Sequence, residues 1–513
     1  MMHGRGKSDE AIVAMNPANE AEPSATEPVE RRAEAEGNAG QQSTFRARSR
    51  EDASQALERI RKAARERKRK EEKFISLLHH VDAARLEEGF YRLRENAAPG
   101  ADGQTWRDYE PGLEHKIEDL HARIHRGAYR ALPSRRVYIP KPDGGQRPLA
   151  VAAIEDKIVQ RAVVEVLNAI YEEDFLGFSY GFRPGRSAHD AMDALVVAIE
   201  SKKVNFILDA DIRSFFDTVD HTWLIRFVEH RIGDRRMIRL IQKWLKVGVL
   251  EDAEVRASEQ GTAQGAVISP LLANIYLHYV FDLWAESWRR HEASGDMIIV
   301  RYADDFIVGF QHEGDARRFL DALRKRLAEF ALALHPEKTR LIEFGRFAEQ
   351  NRRRRGLGKP EIFNFLGFSF ICGKSRRGKF LIKRKSRRDR MRARLQAIKQ
   401  GLRRRMHQPI PVQGKWLTQV VLGYFNYHAV PTNRRALVTF RDEVAKCWRR
   451  VLSRRSQKGA LTWKRMKPIA DAWLPEPAIL HLWPRQRFAV IHPRWEPYAG
   501  KPHVRFCAGG AQQ

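Results

Sequence analysis

Two adjacent aspartates, Asp304 and Asp305, stand inside the stretch MIIVRYADDFIVGF (297–310), where ten of the fourteen residues are apolar or aromatic. An isolated Asp-Asp pair is ordinarily a solvated turn. Here the flanks MIIV and FIVGF read as β-strands, so the simplest local structure is a hairpin with both acids at its tip. Two carboxylates packed beside a core cost free energy unless a cation neutralises them. Hard divalent cations prefer such oxygen ligands. A second apolar strand, within VNFILDADIRSFFDTVD (204–220), ends in Asp209 and Asp211 before a turn into a helix. These two lie two residues apart and face the same side of a strand, so either could join the hairpin pair. An acid at a strand end beside a two-acid hairpin is a geometry for two metal ions. Such ions can activate an attacking hydroxyl and stabilise a leaving phosphate oxygen.

The elements that must position these acids are legible in outline. At 513 residues and 43% hydrophobic, the chain can hold several domains with real cores. Lys and Arg number 93 against 64 Asp and Glu, a formal charge of +29, which points to nucleic acid or another anionic partner. The N-terminus has no apolar signal core and no apolar run approaches a membrane span, so a cytoplasmic protein without membrane contact is expected. Cys372, Cys447 and Cys507 lie far apart with no C-x-x-C pair, which argues against a disulfide framework or a cysteine-rich zinc module.

Composition divides the chain. Residues 1–51 are expected to be disordered; positions 1–44 are rich in Ala, Glu, Pro, Ser and Asn. Residues 52–134 read as a helical N-terminal extension, beginning with a charged helix over 52–72 and broken at the turn-rich APGADG. Strand-like and helical pieces alternate over 135–373. The segment 374–490 reads as basic and mostly helical, with an irregular tail at 491–513. Between 371 and 410 there are 16 Lys and Arg and one acid, Asp389. A charge run is usually a solvated face, but this one, in a chain already at +29, points to phosphate contact.

Seven blocks, QRPLAV (146–151), FSYGFRPGRSAHDA (178–191), DADIRSFFDTVDH (209–221), GTAQGAVISPLLANIYLHYVFD (261–282), RYADDFIVGF (301–310), LHPEKTRLIEFG (334–345) and FNFLGFSF (363–370), stand in the order found in bacterial group II intron-encoded reverse transcriptases, and the chain resembles that family from about 75 to 490. The resemblance implies an α/β (α+β) right-hand polymerase: fingers and palm around an antiparallel sheet, then an α-helical thumb and maturase domain. It implies an RNA-directed DNA polymerase using two Mg²⁺ ions held by Asp211, Asp304 and Asp305. Lys141 and Arg147, on a hairpin around PDGG, would grip the triphosphate. Phe216 would lie under the sugar of the incoming nucleotide and exclude a 2′-hydroxyl. Gln264 and Lys338 would also contact the nucleotide. Asp209 and Asp217 read as structural.

The partners implied are the parent group II intron RNA, an RNA template with a DNA primer, deoxynucleoside triphosphates and a DNA target. Arg384, Arg387, Arg388 and Arg390 are the expected RNA contacts. Trp416, Tyr424, Phe425 and Tyr427 read mostly as helical-bundle core. Many relatives carry a C-terminal cysteine-containing nuclease module; the single cysteine in RWEPYAGKPHVRFCAGGAQQ (494–513) cannot build one, so no DNA cleavage is expected. Two alternatives stand beside this reading: a domesticated reverse transcriptase, CRISPR-linked or diversity-generating, and a splicing-only RNA-binding maturase. QGAVISP favours the intron family over the diversity-generating one, and three intact acidic positions argue against a decayed polymerase.

Overall fold

The computed structural model describes residues 39–70, 72–140, 145–251, 254–256, 261–262, 264–455 and 461–491. The first helix spans Ala39–Lys70. It starts earlier than the charge pattern suggests and takes in residues 39–51, expected to lie outside any element; residues 1–38 lie outside the described residues. Its C-terminal half packs Ile60 and Ala64 into a core shared with the helices Ala83–Tyr91, Leu113–His125 and Ile154–Tyr171. Asp82 caps the first of these, Ala83–Tyr91, by accepting the Arg85 amide at 2.8 Å. The break at APGADG is tight for a reason: a Cβ on Gly100 would come within 2.6 Å of the Ala152–Ala153 backbone.

The strands are β1 (Ser134–Pro140), β2 (Gln146–Val151), β3 (Phe206–Asp211), β4 (Val249–Glu251), β5 (Glu254–Arg256), β6 (Met297–Tyr302), β7 (Asp305–Phe310), β8 (Arg340–Glu343), β9 (Phe363–Phe365), β10 (Phe368–Lys374) and β11 (Phe380–Ser386). They form three sheets, in the orders β2-β1-β4-β5, β6-β7-β3-β8 and β11-β10-β9. Every pairing in the central sheet, β6-β7-β3-β8, is antiparallel.

The central sheet explains the apolar runs around the acids. One face, through Leu208, Ala210, Met297, Ile299, Phe306 and Val308, joins the large helical core. The other, through Ile207, Ile298, Val300, Ile307 and Ile342, packs on the helix Ala188–Ser201 and the β9–β11 sheet. A sheet covered on both faces needs apolar residues at successive positions rather than at alternate ones. The acids therefore fall where the sheet ends.

Beyond β9 the chain departs from the helical reading. The β10–β11 hairpin crosses the expected boundary at 373/374, pairing Lys374 with Phe380 and Phe368 with Ser386. Helices begin only at Arg388. Arg388–Arg404, Ile410–His428, Arg434–Ser453 and Trp463–Trp473 enclose a third core containing Leu417, Phe425 and Trp448. Tyr424 and Phe425 are buried there, Tyr424 stacking on Phe440 at 3.7 Å, as the core reading expected. The helix Pro484–Ile491 returns to the helix Ala188–Ser201, where Arg487 pairs with Asp190 at 2.7 Å. Among the described residues, no helix is long and apolar enough to cross a membrane.

Gly345 ends the LIEFG block at φ +146°, and a Cβ there would stand 2.1 Å from the Val204 carbonyl oxygen. Gly345→Ala should destabilise the protein by about 2 kcal/mol or more, because both the backbone and its neighbour must shift. Gly314→Ala, with nothing within 4 Å of its Cβ in the helix Glu313–Ala328, should be neutral or stabilising by up to about 1 kcal/mol. Denaturant unfolding of both variants checks this; equal effects would contradict it.

Candidate active site at the carboxylate edge of the central sheet

Backbone register brings the acids together. Asp211, the last residue of β3, lies opposite Asp305, the first residue of β7. Tyr302 pairs with Asp305 across the β6–β7 hairpin, so Ala303 and Asp304 form its turn, with Ala303 at φ +58°. A non-glycine residue in the left-handed region is uncommon and needs its surroundings to hold it. Asp304 is half-buried and Asp305 exposed. The hairpin with acids at its tip, and the third acid at a neighbouring strand end, are both present.

Basic residues from the far edge of the sheet meet these acids. The segment before β8 is laid along the end of β3: the Arg213 amide donates to the Ala333 carbonyl and the His335 amide to the Asp211 carbonyl, each at 2.8 Å. Lys338 thereby reaches Asp211 Oδ2 at 2.5 Å, and Arg340 stands 3.5 Å from Asp209. The sequence pointed Lys338 at the nucleotide; the structure places its ammonium on Asp211, a pairing that no spacing rule reveals. Asp209 is shielded from water, which pushes its carboxyl up to about 6, with Arg340 opposing and Asp211 adding to the rise. Crowding by protein and then the charges of Asp304, Asp211 and Asp209 push Asp305 up to about 7, with Lys338 opposing. The Asp305 side chain reaches solvent, so water screens part of that repulsion.

The donor set suits a hard divalent cation: oxygen ligands only, converging on one edge, with enough mutual repulsion to raise a carboxyl. Among the described residues, however, no three His, Cys, Asp or Glu side chains are drawn closely enough to enclose an ion. Lys338 occupies an Asp211 oxygen in this arrangement. The oxygen-only chemistry of the acids fits a hard cation.

Residues 261–262 and 264–265 join the segment after β3 to β2. The Thr262 amide donates to the Phe216 carbonyl and the Ala150 amide to the Gln264 carbonyl, both at 2.7 Å. Gly261 at φ +87° and Gly265 at φ +114° permit this, since Cβ atoms there would stand 2.8 Å from the Phe216 oxygen and 2.9 Å from the Ala150 oxygen. Phe215 is buried, while Phe216 is half-buried beside it, five residues past Asp211. Gln264 is half-exposed. Position 147 pairs with Ile139 in the β1–β2 hairpin. The Arg147 side chain and all of Lys141 lie outside the described residues.

The basic stretch is partly corrected. Arg384 is 2% exposed and bonded to Asp193 at 2.6 Å, so it is a buried ion pair and no surface contact for RNA. It sits in β11, whose alternation turns it inward with Ile382. Arg387 is spoken for by Asp389 at 2.6 Å. Arg388, Arg390, Arg392 and Arg394 are exposed in the first two turns of the helix Arg388–Arg404. Met391, Leu395, Ile398 and Leu402 form the packed stripe at helical spacing, and the arginines flank it on both sides.

One cluster escaped the sequence reading. Arg301, in the RYADD block, is fully buried, and its guanidinium bonds Asp282 at 2.7 and 2.6 Å. The same group donates to the Asn274 side-chain oxygen and to the Ala303 carbonyl, both at 3.0 Å. An arginine inside an otherwise apolar strand was the available signal.

With this geometry in place the class can be stated. Residues 139–370, which carry all three acids, match the family described as reverse transcriptase (RNA-dependent DNA polymerase). The chain is similar in sequence to proteins encoded in group II introns. It is 40% identical over 166 residues to the group II intron-encoded protein LtrA of Lactococcus lactis, covering 32% of this chain and 27% of that one. It is 36% identical over 241 residues to the protein YkfC of Escherichia coli, covering 41% and 62%. A protein in the cob intron of Schizosaccharomyces pombe is 42% identical over 146 residues, covering 28% and 18%. The chain thus spans less than two thirds of the length of these relatives.

The raised Asp305 carboxyl gives a signed pH effect. An unfolded aspartate titrates near about 3.9, so between that value and 7 the folded chain holds a proton the unfolded chain has released. Stability from this group is complete below about pH 4 and is lost as pH rises through about 7. In chelator, Asp305→Asn should melt above wild type at pH 8, and the gap should close towards pH 5. A gap independent of pH would show that the carboxylates do not repel one another here.

Proposed function

We propose that this protein is an RNA-directed DNA polymerase that also binds a group II intron RNA to assist its splicing and mobility. The observation that carries the reading is the meeting of Asp211, Asp304 and Asp305 at one sheet edge within the segment that matches the reverse transcriptase family. In this reading the central sheet is the palm, the β2-β1-β4-β5 sheet with its neighbouring helices the fingers, and the helices from Arg388 to Trp473 the thumb and maturase region. An RNA template, a DNA primer and deoxynucleoside triphosphates would lie across the acidic edge; the intron RNA and a DNA target complete the partners.

Asp211, Asp304 and Asp305 would hold two Mg²⁺ ions, which when bound activate the primer hydroxyl and stabilise the leaving pyrophosphate oxygen. The chain's own side chains supply position. Phe216, held between the end of β3 and the 261–265 loop, would close the floor beneath the sugar, where its ring leaves no space for a 2′-hydroxyl. Gln264 would contact the nucleotide from that loop. Arg147 and Lys141, at the β1–β2 hairpin, would take the triphosphate, Arg through its planar fork. Lys338 adds positive charge at Asp211, where phosphates would approach. The three acids are intact, which speaks against a decayed polymerase serving in splicing alone.

Asp304→Asn removes a full charge with little change in volume. Removing one preorganised charge-stabilising group costs roughly 10²–10³ in rate. Primer extension should fall by at least that factor while RNA affinity persists. Extension near the wild-type rate would place the chemistry elsewhere.

The exposed arginines on Arg388–Arg404 would contact RNA phosphate. Each such contact adds roughly 0.7–0.9 to the log–log slope of affinity against salt. Replacing Arg388, Arg390, Arg392 and Arg394 with Gln should weaken intron RNA binding and flatten that slope by about 3. Extension on a short primer–template at saturation should survive. Coincident slopes would make this face merely solvated.

A further inference from the structure

We propose that Arg301 is a positioning residue for the acidic turn: its guanidinium, clamped by Asp282 and Asn274 beneath the β6–β7 hairpin, fixes the Ala303–Asp304 turn and so the direction in which Asp304 and Asp305 present their carboxylates. The kinetic consequence rests on the polymerase reading above; the structural one does not.

The arginine is tied at every level. Its backbone amide donates to the Phe178 carbonyl and its own carbonyl accepts from the Tyr180 amide, both at 2.9 Å. Its side chain makes the two bonds to Asp282, with both residues wholly buried. The Ala303 carbonyl, one residue before Asp304, accepts from the same guanidinium. That carbonyl belongs to a residue at φ +58°, a conformation that persists only where the surroundings hold it.

Asn274 makes the clamp two-sided. Its oxygen accepts from Arg301 and its amide donates to the Gly181 carbonyl at 2.7 Å. Gly181 in turn lies directly against the turn: a Cβ there would come within 2.3 Å of the Ala303 nitrogen. The turn is thus braced by a carbonyl bond on one side and by backbone contact on the other, and both braces meet at Asn274.

The helix that supplies the clamp is itself modified for it. Residues 269–291 form one continuous helix interrupted by a π-turn over His278–Asp282. Eight residues of regular α-helix, at about 100° each, would leave positions 274 and 282 about 80° apart. The wider i→i+5 turn takes up that difference, and both side chains reach one guanidinium. A purely stabilising role would not need this device, since a buried ion pair stabilises no better than well-packed apolar residues of similar volume.

That last point supplies the test. Arg301→Met combined with Asp282→Leu removes both buried charges together and keeps the volume. The melting temperature of the double variant should stay within a few degrees of wild type. Amide exchange in peptides covering 302–305 should quicken at least tenfold, while 306–309 in β7 stays protected. Extension kcat should fall by about 10²-fold, the scale expected for a misplacement of about 1 Å, with KM for the nucleotide changed less than about twofold. A stable double variant with wild-type exchange in the turn and wild-type kcat would overturn the proposal.

Asn274→Ala decides the matter independently, since it removes one brace without stranding a charge. It should quicken exchange at 302–305 and lower kcat several-fold; no change in either would also overturn the proposal. If wild-type protein extends no primer, the polymerase reading falls, and the exchange measurement still decides whether Arg301 holds the turn.

Discussion

Asp211 and Asp305 face one another across the β3–β7 ladder, and Asp304 sits at the turn beside them. Cross-strand neighbours have Cβ atoms about 4.5–5.5 Å apart, where two unit charges at an effective dielectric near 20 repel by roughly 3–4 kcal/mol. A hairpin free to slip or splay would relieve that repulsion by moving. This one cannot without unpacking both buried faces, because a slip of one residue would exchange side chains between two separately packed cores. The packed sheet holds the carboxylates together at a cost that the raised Asp305 carboxyl and nearby cations offset. Lys338 and Arg340, delivered by β8 and the segment before it, meet part of it.

The rest of the molecule keeps that edge in place. The FSYGFRPGRSAHDA block serves as a bracket: Arg183 pairs with Glu172 at 2.8 Å, Ser187 and Asp190 cap the following helix, and Gly181 lies against the acidic turn. That helix, Ala188–Ser201, forms the floor of the central sheet and receives Arg384 from β11 and Arg487 from the last described helix. Two arginines of the basic C-terminal region are thus consumed in holding it to the acidic sheet. Arg388, Arg390, Arg392 and Arg394 are left exposed.

What could be read in the sequence followed from short-range rules. The hairpin with acids at its tip came from two β-rich runs and a turn, and the third acid from an apolar strand ending in DAD. The core role of Tyr424 and Phe425 came from helical spacing. Pairings across long separations were not legible. Nothing local tells that Arg384 turns inward, because a run of like charges hides the period-two alternation of a strand. Lys338 on Asp211 spans 127 positions and depends on how the segment 333–340 lies along β3. The π-turn that carries Asp282 to Arg301 leaves no compositional trace. The N-terminal helix begins earlier than expected because residues 39–51 continue the helical register of the charged segment behind them.

The meeting of the three carboxylates is best tested by locating a cation directly. Fe²⁺ substituted for Mg²⁺ generates short-lived radicals that cut the backbone beside the bound ion, and the fragments can be sized by mass spectrometry. Cuts should cluster beside Asp211 and in the 303–305 turn, two places 92 positions apart in the chain, and Mg²⁺ in excess should suppress both together. Cuts confined to one of these places, or found elsewhere while both are spared, would contradict a shared cation site at this sheet edge.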